Sequence, residues 1–180
     1  QNFLNQNEHV FLCLVNDGSS DNTLGVLHDI QSRNVDRISV LNLEKNSGKA
    51  EAVRSGVLHA VKWKIFEYAG YWDADFSTPL SESNHLLAAI SSNQNCKVAM
   101  GSRVKRMGAQ IARNSFRHIL GRIFSTFSSR ILNLPVYDSQ CGAKIFSTDI
   151  VNQLFDKPFI TSWLFDVEIL ARLRNHFGLK

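Results

Sequence analysis

The segment GYWDADFSTP, residues 70–79, carries two carboxylates, Asp73 and Asp75, one residue apart after a short apolar and aromatic run. On a strand, residues i and i+2 share a face, so this spacing predicts that both carboxylates point the same way. Like charges so close repel unless solvent or a cation relieves them. Mg²⁺ commonly takes one or two carboxylates together with substrate phosphates, with a second carboxylate left for a ribose or sugar hydroxyl. Taken by itself, D-x-D reads equally as a solvated loop after a strand.

Three more polar clusters accompany it: NDGSSD (16–21), NSGK (46–49) and GSR (101–103). The intervening segments must place them. HVFLCLV (9–15), RISVLNL (37–43), YAGYW (68–72) and KVAMGS (97–102) read as strands. A helix capped by Asp21 or Asn22 runs through Arg33 on Leu24, Leu27 and Ile30, and Asp21 is read as that cap. Further helices are expected from about Lys49 to Lys64, with Ala52, Val53, Val57, Ala60 and Val61 inward, and over SESNHLLAAISS (81–92). Alternating strands and helices predict an α/β domain with a mainly parallel central sheet flanked by helices. In such sheets ligands sit beyond the carboxyl ends of the strands, where all four clusters fall. Their convergence on one edge predicts a binding site.

With 180 residues, 44% of them hydrophobic, the chain suffices for one domain with a substantial core, and no linker or repeat divides it. No apolar run approaches the ~18–20 residues of a membrane-spanning helix. Cys13, Cys96 and Cys141 are odd in number and far apart, which argues against a disulfide framework or a zinc site and for a reducing, cytoplasmic setting. Cys141 reads as a small packed residue.

Charge is distributed unevenly. Residues 83–137 contain no Asp or Glu but carry Lys97, Arg103, Lys105, Arg106, Arg113, Arg117, Arg122 and Arg130. Such a block predicts an anionic partner. Over 111–132 the arginines alternate with Phe116, Ile119, Leu120, Ile123, Phe124, Phe127 and Ile131, the stripe of a core-facing helix or of one lying on a membrane surface. An apolar stripe in place of base-stacking aromatics argues against nucleic acid. DSQCGAKIF (138–146) reads as a loop entering a short strand, and 162–176 as a final helix. NSGKAEA lacks the first glycine and the Ser/Thr of a P-loop, and no G-x-G-x-x-G or G-x-S-x-G is present.

VNDGSSDNT, NSGKAEAVRSG, WDADFSTP and GSR, in this order, resemble the nucleotide-sugar half of family 2 glycosyltransferases, which have the GT-A fold. ARNSFRHIL, DSQCGAKIF and WLFDVEIL resemble the polyprenyl-phosphate branch, especially its dolichyl-phosphate glucosyltransferases. The resemblance implies a catalytic domain over 1–180 that lacks the family's N-terminal strand and C-terminal elements. It implies that Asp17, Gly48, Lys49 and Asp73 contact the donor, and that Asp75, with Asp73, holds Mg²⁺ or Mn²⁺. It further implies that Arg103 and Asp138 stand at the reacting centre, and that Arg113, Arg117, Arg122, Gln140 and Lys144 meet the acceptor. Asp166 and Glu168 would lie on the acceptor side. Two positions depart from the pattern: Asn16 stands where an Asp is common, and Ser77 where mannosyl-transferring relatives have Gln.

The implied activity is transfer of a hexose, glucose first, from a UDP-sugar to a polyprenyl phosphate with inversion, at the cytoplasmic face of a membrane that the domain touches peripherally. Transfer to a sugar hydroxyl in glycan synthesis is the alternative within the family. A non-catalytic nucleotide-sugar binding domain is the alternative outside it.

Overall fold

The computed structural model describes residues 2–75, 77–102, 136 and 138–178. Arg103, Arg113, Arg117, Arg122 and the helix expected over 111–132 lie outside the described residues.

The expected α/β architecture is present. Strand β1 (Leu12–Asp17) pairs in parallel with β2 (Ile38–Leu43), from Leu12 opposite Ile38 to Asp17 opposite Leu43. They are joined through α2 (Thr23–Ser32), where Asn22 takes the N-cap position without a side-chain capping bond, and Asp21, read as the cap, instead accepts from Thr23 N at 3.0 Å just ahead of the helix. Arg37, just ahead of β2, donates to the carbonyls of Leu4 and Asn7, tying down the short α1 (Asn2–Gln6).

The second sheet has the order β3-β5-β4, from Tyr68–Trp72, Ala143–Ser147 and Val98–Met100. Central β5 runs antiparallel to both neighbours, so β3 and β4 share one direction. Strand–helix alternation could not disclose this. It constrains strands joined by a helical crossover, whereas β5 arrives after a long connection that leaves its direction open. Helix α3 (Lys49–Trp63) packs against β1 and β3 and so serves both sheets, and α4 (Glu82–Ser91) covers β4 and β5.

Because β5 is central, Ala143 to Phe146 are all buried. Side chains alternate across a strand. Ile145 joins Ile90 and Ala99 beneath α4. Phe146 faces the other way, into a core with Ala50, Val57, Tyr71, Leu154, Phe155, Phe165 and Ile169. That core is closed by a 3₁₀ turn (Thr148–Ile150), α5 (Val151–Phe155) and α6 (Phe165–Phe177). Full burial stabilises by roughly 1.5–3 kcal/mol per large apolar side chain. This aromatic core is therefore the rigid base against which the polar loops at the strand ends are set. Lys144 shares the face of Phe146, a core position for a charged residue. Among the described residues no helix is long and apolar enough to cross a membrane.

Candidate functional site

The site is built where β1 and β3 end. Asp17, the last residue of β1, accepts hydrogen bonds from Ser47 N at 2.7 Å and Gly48 N at 2.9 Å, one on each carboxylate oxygen. Gly48 precedes α3 with φ 86°, a left-handed conformation that suits glycine and turns the loop's amides towards Asp17. The neighbouring Asn16, in place of the family's aspartate, is buried, donates to Asn42 Oδ1 at 2.6 Å and accepts from Ser19 N at 3.3 Å. A neutral amide with partners on both ends suits that buried place better than a charge.

Lys49, the first residue of α3, reaches across to Asp73 Oδ2 at 2.7 Å. Asp73 lies directly after β3, and its amide donates to Gly142 O at 2.8 Å. A Cβ added at Gly142 would stand 2.0 Å from Asp73 Oδ2, so the absence of a side chain there is what admits the carboxylate. Asp17, Gly48, Lys49 and Asp73, named separately from sequence, thus form one connected rim.

The expectation that Asp73 and Asp75 share a strand face is corrected. β3 stops at Trp72 and Asp75 lies in a turn, so strand alternation does not govern the pair. Their recorded partners differ as well. Asp75 Oδ1 accepts from Ser77 N at 2.9 Å and from Ser77 Oγ at 2.7 Å. Ser77, a departure from the mannosyl pattern, is therefore bonded directly to the candidate metal ligand. Among the described residues no three His, Cys, Asp or Glu side chains cluster in a way that could hold an ion. The oxygen donors here suit a hard cation that takes one or two carboxylates and completes its shell from phosphate oxygens and water. Asp73 has Lys49 as its counter-ion.

Beneath the rim is a buried floor. Lys144 is fully buried, and its ammonium donates to Asp166 Oδ1 at 2.5 Å and to Cys141 O at 2.7 Å. The Tyr71 hydroxyl donates to the same Asp166 oxygen, and the Tyr71 ring lies 5.4 Å from the ammonium. Tyr71 and Lys144 are directly opposite in the β3–β5 ladder, and Asp166 comes from the first turn of α6. Burial pushes the Lys144 ammonium below its ordinary value, against the opposing pull of Asp166 first and of Asp138 more weakly. Burial and then the Asp166 charge push the Tyr71 phenol well above its usual range.

Lys144, expected to meet the acceptor, lies inside the fold. A side chain with no solvent exposure on a central strand supports the turn above it from below. That turn contains Asp138, Ser139, Gln140 and Cys141, with Cys141 N weakly bonded to Asp138 O at 3.4 Å. Asp138 and Gln140 are part-exposed at its surface, whereas Ser139 and Cys141 are 1% exposed, Cys141 being the small packed residue expected. Asp166 and Glu168, expected on the acceptor side, both have partners within the fold. Glu168 accepts from Ile160 N at 2.9 Å and pairs with Arg172 at 2.7 Å. Arg172 also donates to the carbonyls of Leu154, Lys157 and Pro158, so the two brace the loop before α6.

Sequence reasoning did not single out Tyr71 or Gly142, and read Phe165 only as an inward position of the final helix, where it is indeed buried. Phe165 lies between rim and floor, its ring centroid 5.9 Å from the Lys49 ammonium and 6.0 Å from the Tyr71 ring. Only the second Tyr of YAGYW, two residues before Asp73, gave a local hint. Its pairing with Lys144 depends on a register set between distant segments.

Fold and rim together are those of a GT-A-type α/β domain. The model of the family described as Glycosyl transferase family 2 matches residues 1–155, and the chain belongs to that family. It is similar to the dolichyl-phosphate beta-glucosyltransferase of Saccharomyces cerevisiae, 32% identical over 174 residues that cover 88% of this chain and 51% of that protein. A Trichomonas vaginalis protein of the same description is 32% identical over 164 residues, covering 89% of the chain and 47% of its own length. The human dolichyl-phosphate beta-glucosyltransferase is 31% identical over 163 residues, 87% of the chain and 49% of that protein. The chain spans about half the length of the curated relatives it matches.

Proposed function

We propose that this chain is the catalytic domain of an inverting hexosyltransferase that moves glucose from UDP-glucose to a polyprenyl phosphate. The observation that carries the reading is the connected rim of Asp17, Gly48, Lys49 and Asp73 in a family 2 domain whose curated relatives are named for transfer to dolichyl phosphate.

In this reading Asp17 holds the Ser47–Gly48 amides in place at the donor's edge. Asp75 holds Mg²⁺ or Mn²⁺, assisted by Asp73 once Lys49 turns to the donor phosphates. The ion, when bound, neutralises charge on the departing diphosphate. Asp73, freed of Lys49, accepts a hydroxyl of the ribose or sugar, and Gln140 and Asp138 orient the acceptor from the turn above Lys144. A phosphate acceptor is ionised near neutral pH and needs no general base. This agrees with Asp166 being committed to Lys144 and Tyr71 instead of standing ready to take a proton. We place the reaction at the cytoplasmic face of a membrane, where the acceptor's chain resides.

The test is titration calorimetry of UDP and GDP, with and without Mn²⁺, on the full-length protein and on Asp75→Ala, alongside a transfer assay with UDP-glucose. Metal-dependent UDP binding lost in Asp75→Ala, together with loss of transfer, is expected. Wild-type-like turnover in Asp75→Ala sinks the metal assignment. Absence of both binding and transfer in the parent sinks the transferase reading.

A further inference from the structure

The ion pair under the rim is in an unusual place for a stabilising element. Lys144 and Asp166 are 0% and 6% exposed at their side chains, and desolvating both charges offsets most of their attraction. Apolar side chains of similar volume would fill this buried space at no such cost. The charges are explained by what they hold. The Lys144 ammonium bonds the Cys141 carbonyl, and the next residue, Gly142, accepts the Asp73 amide and makes room for its carboxylate. The same turn carries Asp138, whose charge is felt at Lys144. The Tyr71 hydroxyl fixes the Asp166 oxygen from β3, two residues before Asp73. Three elements, β3, β5 and α6, therefore meet at one carboxylate oxygen directly below the candidate donor and acceptor groups.

We infer that Lys144 is a positioning residue for the transfer reaction, acting through the Cys141 carbonyl to set Asp138 and Asp73 relative to each other, with Asp166 and Tyr71 holding its ammonium in place. This rests on the transferase reading above. It requires that the charged pair matter for turnover beyond any contribution to stability.

The deciding variant is Lys144→Met/Asp166→Leu in the full-length protein, which removes both charges together and leaves neither buried alone. Glucose transfer from UDP-glucose to a short-chain polyprenyl phosphate, thermal unfolding and amide hydrogen exchange are measured on parent and variant. A melting temperature lowered by a few degrees, from the Tyr71 hydroxyl and Cys141 carbonyl left without partners, is expected, with kcat lowered roughly ten- to a hundredfold, the loss typical of a displacement of about 1 Å. Donor KM should rise by less than the roughly tenfold expected where a new atom displaces Asp73 outright, and the Asp73 and Cys141 amides should exchange at least about tenfold faster as the turn loosens. A kcat within about twofold of the parent, with unchanged exchange, overturns the inference and leaves the pair a packing feature. Should the double variant not fold, Tyr71→Phe removes only the hydroxyl that steadies Asp166. There a fall in kcat of roughly threefold at unchanged donor KM supports the inference, and unchanged kcat overturns it. If the parent transfers no glucose, the functional reading fails, and the exchange of Asp73 and Cys141 still decides whether the buried pair positions the turn.

Discussion

Two lysines stand at the same pair of aromatic rings in opposite surroundings. Lys49 is half exposed, lies near Phe165 and pairs with Asp73 at the rim. Lys144 is fully buried, lies near Tyr71 and pairs with Asp166 in the floor. Water screens the first pair, and its partners can exchange when a ligand brings its own charges. The second is almost wholly shut off from solvent, and its geometry is imposed by three packed elements. The difference separates them: the rim pair can rearrange at low cost, as the proposed donor binding requires, whereas the floor pair is held by packing on every side.

Breaking the floor should cost most. Lys144→Met alone leaves the Asp166 carboxylate buried without its cation, and urea unfolding should show a loss of about 3–5 kcal/mol. Gly142→Ala joins the two regions, because the new Cβ falls on the Asp73 carboxylate. It should lower stability by about 1–3 kcal/mol and, by moving Asp73, weaken UDP binding about tenfold in calorimetry. At the rim, Lys49→Met should change stability by less than about 1 kcal/mol yet weaken UDP binding several-fold, the inverse of the floor's pattern. Equal stability losses for the two lysine variants would erase the contrast.

The smallest effect concerns α3, which carries Lys49. Hydrogen bonding from Arg54, and more weakly from Ser55, holds the Glu51 carboxyl below its ordinary 4.5. Arg54 in turn donates to the carbonyls of Phe155 and Asp156. A lowered carboxylate value means that the stabilisation is present above about pH 4.5 and is lost as pH falls through the folded-state value. Glu51→Gln should therefore lie below the parent by a few tenths of a kcal/mol at neutral pH, with the two melting curves converging under acid conditions.

Much of the rim was legible because each part is a local feature. A strand ending in NDGSSD, a glycine before a helix and a carboxylate after YAGYW each announce a polar loop at a strand end, and β3 falls on YAGYW as read. The floor was not legible in that way. DSQCGAKIF showed a loop entering a strand, but nothing local showed that the strand inserts antiparallel between β3 and β4. That insertion turns Lys144 from a surface charge into a core one. The partners of Glu168 were likewise hidden: Ile160 and Arg172 are close in sequence, but the loop they brace takes shape against α5.

The sequence by itself determined the α/β class, the family and the chemical identity of the rim, because turn residues, apolar periodicity and short polar motifs act over a few residues. Only the tertiary structure decided which charges face water. The burial of Lys144 follows from strand order and register, and these depend on pairing between distant segments, more than seventy residues apart where Tyr71 meets Lys144. A charge's energetic role depends on the dielectric and partners around it, and those are properties of the assembled fold.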